Sequence, residues 1–186
     1  RRIINRKFSS WSAKKLAETF KASNNPKIFD PDKILKLKNI SELEKKLHEG
    51  DNDRPDAKIP FVVIVDKIEV EKNDNLTSDE KRIAMVRSFV KQAIPKEDYL
   101  NSVTFFISVG DKWGHFNPGL FATTVFDKQT LNNMKNKTLA KMSKTKIDDL
   151  ISNLVEEIRQ VKEKNTAEAD AAWKIQAQGQ IASLIF

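Results

Sequence analysis

Four acidic residues and one lysine in the first half of the chain have the types and spacing that could hold a metal ion. Asp66, Glu69, Glu71 and Lys72 follow a strongly apolar run, and Asp56 precedes it. Carboxylates gathered at the end of a strand can bind Mg²⁺, and a neighbouring lysine can orient the water that attacks a phosphodiester. A metal-dependent nuclease, or another enzyme acting on nucleic acid, is therefore one possible function.

These residues resemble, in part, the active-site motif of the restriction-endonuclease-like nucleases. That motif is a proline–acid pair followed by Glu-x-Lys, and the matching positions are Pro55-Asp56 and residues 69–72. The sequence departs from the motif because the lysine directly follows the second glutamate. Alternation of apolar and acidic residues over 68–71 is also typical of a strand with one wet face. We prefer this second interpretation, and it predicts no catalytic residue here.

Other patterns that would indicate catalysis or metal binding are absent from the sequence. There are no cysteines, which excludes disulfides, thiolate metal sites and thiol nucleophiles. The two histidines, His48 and His115, are far apart and lack metal-ligand spacing. The sequence contains no glycine-rich phosphate loop and no Gly-x-Ser-x-Gly elbow. We therefore predict no metal and no cofactor.

Positive charge is the second feature with chemical meaning. Lys and Arg number 33 against 26 Asp and Glu, giving a net charge of +7. Two acid-poor segments carry much of the excess, and clusters of this kind suit a phosphate-bearing partner such as nucleic acid. The residues predicted to contact an anionic partner are Arg1, Arg2, Arg6, Lys7, Lys128, Lys135, Lys137 and Lys141. The alternative is that both segments are solvated helix faces, and the first also has the composition of an organellar transit peptide.

The last 40 or so residues are the most distinctive stretch of the sequence, with a helical apolar stripe that starts at Ile147 and reaches Val161. A polar pair, Asn165-Thr166, predicts a break, after which the helical pattern resumes. Four large apolar residues then lie close together and must be covered by the domain itself or by another protein. The residues predicted to contact a protein partner are Ile181, Leu184, Ile185 and Phe186.

The elements that position these residues predict an α+β domain with a small sheet. Three strands are expected, at 59–72, 102–109 and 120–126, with helices before the first strand and a long helical segment after the third. The first two strands flank a helix and are expected to be parallel, joined by a right-handed crossover. The chain divides into a basic N-terminal arm or helix (1–22), an α+β core (23–143) and a C-terminal helical segment (144–186).

Local signals place the helix starts. Ser10 or Ser12 is expected to cap a first helix that ends near Ala22. An Asp-Pro pair predicts a short helical turn, and two capping boxes predict further helix starts. These three signals are Asp30-Pro31, Ser41 to Glu44 and Thr77 to Glu80.

Together these features favour a non-catalytic structural or assembly subunit of a larger complex, such as a ribonucleoprotein, an organellar complex or a virion. Other protein subunits are the expected partners, and basic surfaces would contact an anionic one. The two alternatives are the nuclease described above and a stand-alone nucleic-acid-binding module. No apolar run approaches the roughly 20 residues of a membrane span. The sequence does not fix the localisation, and we expect an intracellular protein, with an organellar matrix and a virion among the alternatives.

Overall fold

A computed structural model describes residues 10–49 and 58–185. The helices are α1 (Ala13–Ala22), α2 (Ile40–Leu47), α3 (Ser78–Ala93), α4 (Lys96–Tyr99), α5 (Lys128–Lys141) and α6 (Ile147–Ile185). The strands are β1 (Ile28–Phe29), β2 (Ile59–Val65), β3 (Ser102–Ser108) and β4 (Trp113–Pro118), and a 3₁₀ helix, η1, spans Leu120–Thr124. The structure therefore has the predicted α+β fold.

The four strands form one mixed sheet in the order β1-β2-β3-β4. β1 and β2 are parallel, as are β2 and β3, whereas β3 and β4 are antiparallel. β2 and β3 align over seven residues, with Val62 opposite Phe105. The predicted parallel pair joined by a helix is confirmed, with α3 as the connecting helix.

Helices cover both faces of the sheet, which explains why β2 is apolar on both sides. On one face, Val62 and Ile64 pack with α2, α5 and α6. On the other face, Phe61, Val63 and Val65 pack with α1 and α3. Successive residues of β2 thus belong in turn to the two hydrophobic cores, one on each face of the sheet.

The predicted third strand at 120–126 is wrong. Residues 120–124 form η1, whereas the strand lies just before it, at Trp113–Pro118. Two threonine hydroxyls bond back three residues inside η1, from Thr123 Oγ1 to Leu120 O at 2.7 Å and from Thr124 Oγ1 to Phe121 O at 3.0 Å. These local bonds favour a helical turn over a strand, despite the β-branched and aromatic residues present.

The extent of the first predicted strand is also corrected, and one strand was missed. β2 ends at Val65, so residues 66–72 lie beyond it. β1 is only two residues long, Ile28–Phe29, which is too short to give a sequence signal.

Helix starts follow the predictions in part. Ser12 caps α1 by accepting from Lys15 N, and the capping box of Thr77 and Glu80 is present on α3. The predicted box at Ser41 is wrong, because the N-cap of α2 is Asn39, two residues earlier, and the helix begins at Ile40. Asp30 starts no helix; its carboxylate accepts from the backbone N–H groups of Ile34 and Leu35 and so stabilises an irregular turn.

Candidate functional site

α6 is a single 39-residue helix, about 58 Å long, and its two halves lie in different surroundings. The predicted break at Asn165-Thr166 is wrong, since the helix continues through it. Asn and Thr disfavour a helix interior by only about 0.7 kcal/mol each, and strong helix formers flank them. We call residues 147–165 the inner half and residues 166–185 the arm.

The inner half is fixed to the body of the domain by its apolar stripe. Ile151, Val155 and Ile158 are fully buried against the sheet face that contains Val62 and Ile64. A polar contact at the start of the helix adds to this, because the Asp148 carboxylate accepts from Lys36 N at 2.9 Å. The helix therefore has a defined direction when it leaves the domain.

Two hydrogen bonds mark the point where α6 leaves the body. Lys162 Nζ donates to Leu47 O at 3.2 Å, and Asn165 Nδ2 donates to Val125 O at 2.7 Å. Burial lowers the pKa of Lys162 to about 8. Asn165, one of the two polar residues that predicted a break in the helix, thus joins α6 to the residue that follows η1.

A cavity of about 440 Å³ lies at this exit point, beside the end of α2. Its two cations already bind protein groups: Arg159 pairs with Glu156 at 2.6 Å, and Lys162 donates to Leu47 O. The lining has both signs of charge, and its residues are Glu49, Arg159, Lys162, Glu163, Thr166, Ala167 and Asp170. Because acidic and basic side chains both line the cavity, it does not select for an anionic or a cationic ligand.

The arm carries large apolar side chains that no other part of residues 10–49 and 58–185 covers. Ile175, Ile181 and Leu184 are 71%, 59% and 86% exposed, whereas Ile158 on the same helix is fully buried. The last charged residue of the arm is Lys174. Two of the residues predicted to contact a protein partner, Ile181 and Leu184, thus lie exposed here.

The structure does not describe the side chains of the other two residues predicted to contact a protein partner. The side chain of Ile185 and the whole of Phe186 lie outside the described part of the structure. The assignment of these two residues stays a prediction.

A second exposed apolar surface was missed by the sequence analysis. Leu120 and Phe121 of η1 are 69% and 51% exposed, and Tyr99 and Leu100 beside them are also exposed. Phe121 N donates to Leu100 O at 2.9 Å, which joins the two segments. We call these four residues the end patch. Leu120 and Phe121 appeared in the sequence only as part of an expected strand, and their exposure was not predicted.

The predicted basic contacts on α5 lie on both flanks of that helix. Leu131, Met134 and Thr138 face the core, and Lys128 and Lys135, seven residues apart, share one flank. Lys137 and Lys141 share the other flank, where Lys137 pairs with Glu157 of α6 at 3.7 Å. Arg1, Arg2, Arg6 and Lys7 lie outside the described residues.

The acids of the nuclease hypothesis do not surround a common point. Asp66 ends β2, and Glu69, Glu71 and Lys72 follow it as exposed residues, while Asp56 lies outside the described residues. Within residues 10–49 and 58–185, no group of three or more His, Asp or Glu side chains could hold a metal ion.

Other carboxylates at this edge of the sheet bind protein donors. Asp32 accepts from Trp11 Nε1 at 3.0 Å and from Asp66 N at 2.8 Å. Asp111 accepts from Ser108 Oγ at 2.7 Å and from Ile68 N at 3.1 Å. These bonds join the loops that follow β1, β2 and β3.

The two histidines lie in separate places. His115 of β4 stacks on Trp113 with ring centroids 6.3 Å apart, and burial, followed by the charge of Arg87, lowers its pKa. His48 ends α2, and burial, followed by the charges of Lys27 and Lys162, lowers its pKa to about 4. Both pKa shifts favour the neutral imidazole at pH 7.

Comparison with known proteins identifies the fold and no function. No protein-family model and no curated protein sequence matches the chain. The structure is similar to the solution NMR structure of the N-terminal domain of a protein from P. gingivalis, with a TM-score of 0.61 and 11% sequence identity. The alignment covers 82% of this chain and 92% of that one. At this identity the similarity supports the α+β fold alone.

The helices were also compared with the length and hydropathy of a membrane span. Among the described residues, none of the helices is both long enough and apolar enough to cross a bilayer.

Proposed function

We propose that this chain is a non-catalytic assembly subunit whose arm binds another protein. The observation that supports the proposal is the exposure of Ile175, Ile181 and Leu184 on a helix whose inner half is fixed to the domain. Ile181 and Leu184, three residues apart, lie together on one side of the arm, and large apolar side chains that lie together on a surface mark protein interaction sites. The inner half fixes the direction of the arm, so little orientational freedom is lost on binding.

The size of the expected effect supports this role. Burying one large apolar side chain contributes roughly 1.5–3 kcal/mol. Ile175, Ile181 and Leu184 together therefore offer several kcal/mol to a complex, before the cost of association is subtracted. The absence of charge between residues 175 and 185 means that binding desolvates no ionised side chain there.

Charge substitution on the arm tests the proposal. Leu184→Asp places a carboxylate at the most exposed of the three side chains and should abolish binding of the partner. Gln176→Asp is the matched control, because Gln176 lies with Ser183, seven residues further on, on the polar side of the same helix. The measurement is the amount of cross-linked partner that co-purifies with each variant from the native source.

Two outcomes decide the matter. Loss of the partner with Leu184→Asp, and its retention with Gln176→Asp, would support an apolar contact through the arm. If both variants retain the same partners in the same amounts as the unmodified chain, the arm is not the binding surface and the proposal is wrong.

A further inference from the structure

We propose that a lysine-rich surface at the start of α6 binds the phosphate backbone of nucleic acid. Its six exposed lysines come from two segments, one after β1 and one at the connection between α5 and α6. We call this the lysine surface, and its members are Lys33, Lys36, Lys38, Lys141, Lys144 and Lys146. The inference does not depend on the proposed function, because the arm is at the other end of α6.

The fold brings the two lysine segments together. Lys36 N donates to the Asp148 carboxylate at 2.9 Å, across 112 residues of sequence. Asp148 lies two residues after Lys146. The sequence contains both groups of lysines, but it does not show that they are neighbours, so the structure joins two basic segments into one surface.

Both segments are held in place by the rest of the domain. The Asp30 carboxylate accepts from the backbone N–H groups of Ile34 and Leu35, and Thr145 N donates to Lys141 O at 3.0 Å. The apolar residues between and beside the lysines pack against the core, and they are Ile34, Leu35, Leu37, Met142 and Ile147. The lysines are therefore presented on ordered backbone, which limits the entropy that binding would cost.

Protein carboxylates leave the lysine surface with an excess of positive charge. Within residues 10–49 and 58–185, none of its six lysines forms an ion pair, whereas Lys137, one turn before Lys141, pairs with Glu157 at 3.7 Å. Four acids lie within three residues of these lysines, and three of them, Asp30, Asp32 and Asp148, accept from protein N–H groups. The fourth, Asp149, is exposed.

The density of this charge favours nucleic acid as the partner. The segment from Lys33 to Lys38 spans at most about 18 Å. A duplex of that length carries about ten phosphate charges, which is enough to face every lysine of the surface at once. Contacts between lysine and phosphate position a duplex without reading its bases, so we expect binding that is independent of sequence.

The exposed side chains of the two segments argue against a lipid partner. A site that lies on a membrane combines cations with apolar side chains that enter the headgroup region. Residues 33–38 and 141–146 expose no large apolar side chain, because their apolar residues pack against the core. Anionic vesicles are therefore the comparison partner in the experiment.

The lysine surface and the arm are far enough apart to be occupied together. Leu184 lies about 55 Å from Ile147 along the continuous helix. A protein bound to the arm leaves the lysine surface accessible, and each contact can be removed without touching the other.

The experiment measures the affinity for a duplex of arbitrary sequence by fluorescence anisotropy between 50 and 200 mM salt. Six phosphate contacts give a log–log slope of about −5, which corresponds to roughly a thousandfold loss of affinity over this range. Replacing Lys33, Lys36 and Lys38 together by Gln should reduce the slope by about 3. Replacing Lys141, Lys144 and Lys146 together by Gln should reduce it by the same amount.

The matched control replaces Lys14, Lys21 and Lys91 by Gln. These three lysines are exposed on α1 and α3, which cover the opposite face of the sheet, and the change in net charge is the same. The control should keep the slope of the unmodified chain. Urea denaturation of each variant checks that the fold is retained.

Three results would overturn the inference. One is the absence of duplex binding at 50 mM salt, and another is a control variant that weakens binding as much as the two triple variants do. The third is binding to vesicles of phosphatidylserine and phosphatidylcholine without binding to the duplex. Leu184→Asp should bind the duplex like the unmodified chain, so a failure of the arm to bind protein is distinguished from a failure of the lysine surface.

Discussion

The inner half and the arm of α6 belong to the same helix but differ in what covers their apolar residues. Ile151 and Ile158 are fully buried, whereas Ile175 and Ile181 are mainly exposed. The inner half needs its apolar stripe in order to fold, because helices in proteins are stabilised mostly by packing of one face. The arm gains no such packing from its own domain. We propose that its apolar residues serve binding, which would distinguish them from the buried isoleucine Ile158, about five turns earlier on the same helix.

The largest expected difference in the free energy of unfolding is between two isoleucine-to-alanine substitutions, one in the inner half and one in the arm. Ile158→Ala should lower the free energy of unfolding by about 2–5 kcal/mol, because it leaves a cavity in the core. Ile181→Ala should change it by less than about 0.5 kcal/mol in the monomer, because that side chain contacts little. Urea denaturation at a dilution that keeps the chain monomeric measures both values. Similar losses for the two variants would show that the arm packs on its own domain.

An intermediate effect on the free energy of unfolding is expected when the pH is lowered. His48 lies beside the inner half, where burial and the charges of Lys27 and Lys162 lower its pKa to about 4. The unfolded chain binds this proton near the ordinary pKa of about 6.5, so the contribution of His48 is complete above pH 6.5 and is lost as the pH falls towards 4. The slope should be about 1 kcal/mol or less per pH unit, since the side chain is partly exposed.

The His48→Gln variant is the control for this prediction. It should flatten the pH dependence of the free energy of unfolding between pH 6.5 and 4, while leaving the helical signal of the arm unchanged. A wild-type slope that persists in His48→Gln would assign the acid sensitivity to another group.

The smallest effect on folding is expected from the lysines of α5. Lys135→Gln, Lys137→Gln and Lys141→Gln together should change the free energy of unfolding by less than about 1 kcal/mol, since exposed pairs such as Lys137 with Glu157 contribute little. If these lysines bind phosphates, each substitution should reduce the log–log salt slope of nucleic-acid binding by about 0.7–0.9. Affinity titrations across salt measure this slope, and no binding at low salt would remove nucleic acid as a partner.

Much of the fold could be predicted because its strongest signals are local. The apolar run 61–65, the capping box at Thr77 and the stripe from Ile147 each report a single element, and all three elements are present. The β4 strand was missed because it combines Gly114, His115 and Asn117 with a final proline, a composition typical of turns. It is a strand because β3 pairs with it along its whole length.

The candidate site could be predicted only in part. Periodicity indicated helix on both sides of an expected break at Asn165-Thr166, but periodicity does not show which apolar residues the domain itself covers. That depends on where the sheet ends relative to the helix, which is a property of the tertiary structure. The end patch was missed for the same reason, since Leu120 and Phe121 have the composition of core residues and are exposed only because η1 turns them outward.

The closure of the sheet by α6 has a consequence for the order of folding. Val62 and Ile64 are covered by Ile151 and Ile158, and Leu47 O binds Lys162, 115 residues away in sequence. Contacts this distant, combined with parallel strands, favour slow folding. During synthesis this sheet face is covered incompletely, by α2 and α5 alone, until Ile158 has left the ribosome, and until then the nascent chain is exposed to aggregation. The arm emerges after the inner half, and so its sequence can change without altering that order.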